Sequence, residues 1–289
     1  MLSFKNDVAL KQQILDHLNK LPVDETVWKR SAIAWDGTAG SFVGHIIKSE
    51  DLADWENLGL PKWLALVLDY FLITTSDLKT GIRANIELIN AIPVGKDIDN
   101  VGSQFLIQLI ENDDLGIQNV TQNEQLLNAL NSIISIQKQC LAHEDISPAT
   151  WRSLRKTMVE NSQTYEDESL EYLISTFTEA AAWNPESSRT AVSDSVRVWG
   201  RVKLKAEPSP DWTQERDKNL RALLKQLHDE AKAKQPEGSD EFINVFELLE
   251  KNHPEEFEWM KRQDKLQRIQ PAVFCKKSIE LLNTLFLQT

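Results

Sequence analysis

Residues 121–141, TQNEQLLNALNSIISIQKQCL, read as one amphipathic helix: Leu126, Leu127, Leu130, Ile133, Ile134 and Leu141 fall at three-four spacing among Asn, Gln, Ser and Lys. The same period runs through 6–20, where Val8, Leu10, Ile14, Leu15 and Leu18 share a face. It returns in 212–233 with Leu220, Leu223, Leu224, Leu227 and Ala231. Helix starts are marked by Ser49-Glu50-Asp51, Ser147-Pro148 and Asn184-Pro185-Glu186, and stops by Gly59 and Pro93-Val94-Gly95. No alternating run is long enough for a strand. The expected fold is therefore all-α, a multi-helix array or irregular bundle of antiparallel helical hairpins. Its helices fall near 6–20, 25–35, 42–48, 50–57, 61–74, 77–91, 98–111, 121–142, 148–161, 166–183, 186–202, 212–233, 239–252, 255–264 and 271–287. Pro22…Trp28 and Pro148…Trp151 hint at a repeat without a fixed period, so a solenoid-like stack stays open.

The chain is long enough for one large or two modest domains: 289 residues, 41% hydrophobic, with nine Trp and ten Phe to build a core. The segment 203–211, KLKAEPSPD, carries two prolines among mixed charges and is expected as a linker or exposed loop. It separates a larger helical domain, 1–202, from a C-terminal helical subdomain, 212–289, packed on the first. A second soft spot is Gln235-Pro-Glu-Gly-Ser239. The most apolar run, WLALVLDYFLI at 63–73, is about half the length of a membrane span and contains Asp69, so a buried helix is expected there. The N-terminus lacks the basic and apolar regions of a secretory signal, and the expected location is cytoplasmic.

Charge is the most informative feature. The chain has 44 acidic against 32 basic side chains, which disfavours phosphate-backbone binding and hence a nucleic-acid partner. The excess is uneven: 20 acidic against 11 basic side chains in 1–145, but 16 of each in 200–289. Within 97–145, Asp97, Asp99, Glu111, Asp113, Asp114, Glu124, Glu144 and Asp145 face Lys138 alone. Such a run is either a solvated face that maintains solubility or a field that attracts a basic partner. Among the tryptophans, Trp212 and Trp259 lie in charged surroundings and are the candidates for exposed binding anchors.

Chemistry-bearing patterns are sparse. Three glycines crowd DGTAGSFVGH at 36–45 beside Asp36, Ser41 and His45, without the spacing of a phosphate-binding loop. Cys140 and His143 are three apart and need two further ligands to hold a metal, and two cysteines make no disulfide framework. Basic stripes occur at Trp151-Arg152-Ser-Leu-Arg155-Lys156 and at Lys261-Arg262, Lys265 and Arg268. The dipeptide His228-Asp229 resembles the all-helical HD phosphohydrolases, whose upstream His and distant Asp have no counterpart here. Glu50-Asp51-Leu-Ala-Asp54 is similar to the magnesium motif of helical terpene synthases, but lacks the second motif.

The reading that follows is a non-catalytic acidic helical protein that binds a basic protein, with no cofactor. An inhibitor or immunity protein neutralising a bacterial toxin is one such role. The partner-binding candidates are Asp97, Asp99, Glu111, Asp113, Asp114, Trp212 and Trp259. The alternatives are a metal-dependent helical hydrolase built around His228 and Asp229, and a scaffold or assembly subunit.

Overall fold

A computed structural model describes residues 1–207, 211–236 and 242–289, apart from the side chains of 267 and 268. The prolines of the 203–211 segment, the end of the 235–239 soft spot, the expected helix start at 239 and the side chain of Arg268 lie outside the described residues. The protein is all-helical, an array of thirteen α-helices among the described residues, and no strand occurs there. In order they are α1 (Val8–Lys20), α2 (Phe42–Ile47), α3 (Leu52–Glu56), α4 (Lys62–Thr74), α5 (Leu78–Ala91), α6 (Val101–Glu111), α7 (Glu124–Leu141), α8 (Pro148–Ser162), α9 (Leu170–Ala181), α10 (Ala191–Ala206), α11 (Gln214–Ala233), α12 (Val245–Asn252) and α13 (Pro254–Leu287). The chain divides into two compact units, one of 1–206 with 271–289 and one of 207–270.

In the larger unit α4 is the central element. Trp63, Leu64, Ala65, Val67, Leu68, Phe71 and Leu72 are all 0% exposed, so the helix is enclosed by neighbours and not merely docked by one face. It packs against α2, α3, α5 and α10; α6 packs on α7 and α10, and α9 on α7, α8 and α10. The helix that decided the fold class, α7, buries Leu126, Ala129, Leu130, Ile133, Ile134 and Ile136. Its first turn is closed by the Asn123 side chain, which accepts from the N–H groups of Gln125 and Leu126 at 3.0 and 3.2 Å. Ser147 caps α8 in the same way, with Pro148 in the first turn where no N–H is needed. Phe274 of the 271–289 segment meets the Trp199 ring edge-on at 6.0 Å within the same core.

The smaller unit has a thin core of Leu220, Leu227, Leu249 and Trp259, with Trp212, Leu223, Leu224, Leu248, Phe257 and Met260 packed around it. Arg216 holds that core together: its guanidinium lies 4.7 Å above the Trp259 ring and donates to Glu256.

Four expectations about elements are corrected. No helix forms over 25–35. There the N–H groups of Ile33, Ala34 and Trp35 are taken by the side chains of Asp69, Ser41 and Glu50, and side-chain acceptors replace the helical carbonyls. Asn184-Pro185 makes only a turn, closed by bonds from the N–H groups of Ser187 and Ser188 to the Asn184 carbonyl, and α10 begins at Ala191. That helix then continues through 203–206, ahead of the prolines that suggested an earlier end. The break expected between 264 and 271 is also missing: α13 runs through Pro271, whose ring nitrogen forgoes one helical hydrogen bond.

Candidate functional site

The acids of 97–145 lie in the loops that flank α6 and α7: Asp113 and Asp114 follow the C-terminus of α6, whereas His143, just past α7, reaches Asn100 at the start of α6 and places Glu144 and Asp145 toward that end. The turn after α6 is tightly bonded: the Asn112 side chain accepts from the N–H groups of Asp114 and Leu115, each at 3.0 Å. Asn119 donates back to the Asn112 and Asp113 carbonyls at 3.1 and 2.8 Å. This fixes the backbone under Asp113 and Asp114 while their carboxylates stay exposed. Glu111, Asp113 and Asp114 lie at or just past the C-terminus of α6, whose last turn has no basic residue, and Glu144 and Asp145 follow the C-terminus of α7. A helix C-terminus already carries partial negative charge, so these carboxylates add to the helix dipoles instead of offsetting them. Such an arrangement costs stability and concentrates negative potential.

The remaining acids are partly engaged. Asp97 and Asp99 each lie 3.1 Å from the Met1 amino group. Burial pushes the Asp99 carboxyl above its usual range, with Asp97 adding to it. At Asp97 burial is outweighed by the Asp99 N–H and the amine, and the carboxyl sits below its usual range. Glu111 pairs with Lys138 at 3.3 Å. Asp97, Asn100, Gln104, Gln108, Glu111 and Lys138 line one groove of ≈ 450 Å³ beside α6. By contrast, Asp113, Asp114, Glu124, Glu144 and Asp145 are exposed and make no ion pair with any described residue.

The tryptophan anchors sit elsewhere in the smaller unit. Trp259 is only 1% exposed and donates its indole N–H to the Asp211 carbonyl at 3.0 Å, which corrects the expectation of an exposed side chain. The charged residues around it in sequence point away from the core while the ring fills it. Trp212 is half-buried against the same core. The exposed tryptophan is Trp183, 42% accessible, with the Arg155 guanidinium stacked 3.6 Å from its ring.

The glycine cluster folds around a buried acid. Asp69, 0% exposed on α4, accepts from the N–H of Ile33 at 2.7 Å and of Val43 at 3.1 Å. Ser41 caps α2 through Gly44 N–H and accepts from Ala34 N–H, and its hydroxyl helps to hold the Asp69 carboxyl down. Burial pushes the Asp69 carboxyl up to about 7 against the pull of these donors. Gly40 and Gly44 permit close approach of the backbone to itself: a Cβ on Gly44 would lie 1.9 Å from the Ala34 carbonyl oxygen, while Gly37 serves a turn at positive φ. Gly44→Ala is therefore expected to cost at least about 2 kcal/mol, read as a shift in the denaturant midpoint. A cost near zero would show that Ala34 can move aside.

Ser41, Asp69 and His45 do not form a catalytic triad. Asp69 accepts from the N–H groups of Ile33 and Val43, whereas His45 Nε2 lies 2.9 Å from the Val27 carbonyl oxygen. Asp69 is the residue that sequence reading missed as a structural centre, although an acid inside an eleven-residue apolar run was the signal for it.

The other patterns do not converge into a site. Cys140 is half-buried beside Ser103, and burial pushes its thiol up to about 11, while His143 turns outward toward Asn100 at 3.4 Å. His228 and Asp229 touch each other at 3.3 Å on an exposed face of α11. No group of three or more His, Cys, Asp and Glu side chains comes within metal-holding distance among the described residues. Glu50 accepts from Trp35 N–H and Asp51 caps α3. The basic stripes are partly paired within themselves, Lys156 with Glu160, Lys261 with Glu258 and Arg262 with Asp211.

No helix among the described residues is long and apolar enough to cross a membrane. Comparison with protein-family models, with curated proteins and with solved structures returned no match for this chain.

Proposed function

We propose that this is a non-catalytic, acidic protein-binding protein that acts in the cytoplasm and docks a basic protein against the α6–α7 face. One observation carries the reading: Asp113, Asp114, Glu144 and Asp145 crowd the negative ends of two helices and are exposed with no cationic partner among the described residues. Selection for stability alone favours cations at those positions, whereas a basic partner offsets the repulsion on binding and is steered toward the face. The overall charge of −12 makes a protein a better partner than nucleic acid. An inhibitor or immunity protein that neutralises a basic toxin fits this chemistry, on charge and not on resemblance.

The test is capture from native lysate of the source organism at low salt, using the wild-type protein beside Asp113→Lys/Asp114→Lys. The reading expects a basic protein that is released by a salt step from the wild type and much reduced on the variant. Equal capture by both proteins would overturn the assignment of the face.

A further inference from the structure

The 21–41 segment, between α1 and α2, has no regular element over some twenty residues, and loops longer than about 12–15 residues are uncommon in compact domains unless they do something. Besides Trp28, which is buried in the core and stacks on Phe42, its fixings are individual bonds. Arg30 donates to the carbonyls of Leu72, Ile73 and Thr75, Ile33 N–H to Asp69, and Gly40 N–H to the Val27 carbonyl. The last fixing is His45, 1% exposed, with ring centres of Trp28 at 4.5 Å, Trp35 at 5.3 Å and His17 at 6.4 Å.

His45 Nε2 faces a carbonyl and so carries the proton, leaving Nδ1 as a bare lone pair. That Nδ1 and His17 Nε2 are both buried without a partner. A ring nitrogen lies roughly 1 Å from its ring centre, so the two orphan nitrogens are at least about 4 Å apart, beyond the reach of a shared proton. A proton added to His45 thus places a charged N–H where no acceptor faces it, a cost that attraction to the two indole rings offsets only in part.

We infer that the 21–41 segment is an acid-released flap, held closed by the unprotonated rings of His45 and His17. Each neighbouring element has its charged groups accounted for. Asp36, on the segment, favours the protonated ring, but Lys29 at 2.7 Å and the N–H groups of Thr38 and Ala39 already hold its carboxylate. From α1, His17 disfavours protonation of His45; Lys48 at the end of α2 and Lys20 of α1 disfavour protonation of His17, and the His45 backbone favours it by less than burial opposes it. Glu50 is engaged by Trp35 N–H, and Asp69 of α4 by Ile33 and Val43.

Burial first, and these cations second, hold the His17 ring below its ordinary 6.5, and burial does the same for His45. With the folded values depressed, the closed form keeps this contribution above about pH 6.5 and loses it as pH falls, by up to about tenfold in opening per pH unit for each proton taken up. Asp69 works in the opposite sense, because its raised carboxyl weakens the closed form as pH rises toward about 7.

The experiment is hydrogen exchange at pH 7.5 and 5.0, corrected for intrinsic rates, on the full chain and on His45→Gln, which keeps a donor for Val27 but cannot titrate. Asp69 and His17 titrate in both proteins, so the flap predicts that from pH 7.5 to 5.0 exchange of the 27–41 amides in the full chain rises several-fold, up to about thirtyfold, relative to the same amides in His45→Gln, with α4, α6 and α7 alike in the two proteins. The same pH dependence in both proteins, or a difference spread throughout the unit, would overturn it. Should His45→Gln fail to fold, an NMR titration of the wild-type imidazoles decides: His45 titrating below 6.5 together with loss of Trp28 packing supports the flap, and titration at or above 6.5 with the packing intact contradicts it.

Discussion

Asp69→Ala is expected to destabilise the larger unit by about 2–4 kcal/mol, measured as the free energy of urea unfolding at pH 5.0, where the folded carboxyl is protonated. The substitution removes the acceptor for the N–H groups of Ile33 and Val43 in a buried place. Each orphaned buried donor costs about 1–3 kcal/mol, and the relief of no longer burying a carboxylate offsets part of the sum. Asp69→Asn retains one acceptor oxygen and turns an amide N–H toward the other donor, so it falls between alanine and wild type. The pH dependence has a definite sign. Burial lifts the folded carboxyl from 3.8 to about 7, so Asp69 contributes most below about pH 4 and loses its contribution as pH rises through about 7. The gap in unfolding free energy between wild type and Asp69→Asn should therefore change across that window. A loss below about 1 kcal/mol for Asp69→Ala would mean that the 21–41 segment is secured by its other bonds.

Reversal of Asp113, Asp114 and Glu144 to lysine is expected to slow association with the basic partner by about 10–100-fold at low ionic strength. Near 0.5 M salt the screening length shortens to about 4 Å and most of the difference disappears. These side chains are exposed and bear no tertiary ion pair with described residues, so folding should be unharmed or slightly improved as positive charge replaces negative at the ends of α6 and α7. Stopped-flow association at several salt concentrations reads the effect directly. Equal rates for the variant and the wild type at low salt would assign the carboxylates to solubility alone.

Much of the helical content was legible because it is encoded locally. The three-four spacing of α7 and the Ser147-Pro148 start of α8 appear in the structure where the sequence puts them. Period alone misjudged Val8, which shares the predicted face of α1 yet is 70% exposed at its open end. What was not legible depends on partners distant in sequence. The 25–35 stretch has helical spacing of Trp28 and Trp35, but its N–H groups are claimed by Ser41, Glu50 and Asp69, the last some forty residues away. Trp259 looks exposed from its charged neighbours and is buried because Asp211 and Arg216 come to it from another part of the chain. The acidic run was visible as composition, whereas its concentration at helix C-termini needed the element boundaries.

The most direct test of the acidic docking face is hydrogen-exchange footprinting of the complex formed with the captured basic protein. The account predicts slowed exchange in the loops at 112–116 and 142–146 and at the adjoining ends of α6 and α7, with the 207–270 unit unchanged. Protection confined to 207–270, with the α6–α7 loops exchanging as in the free protein, would contradict it.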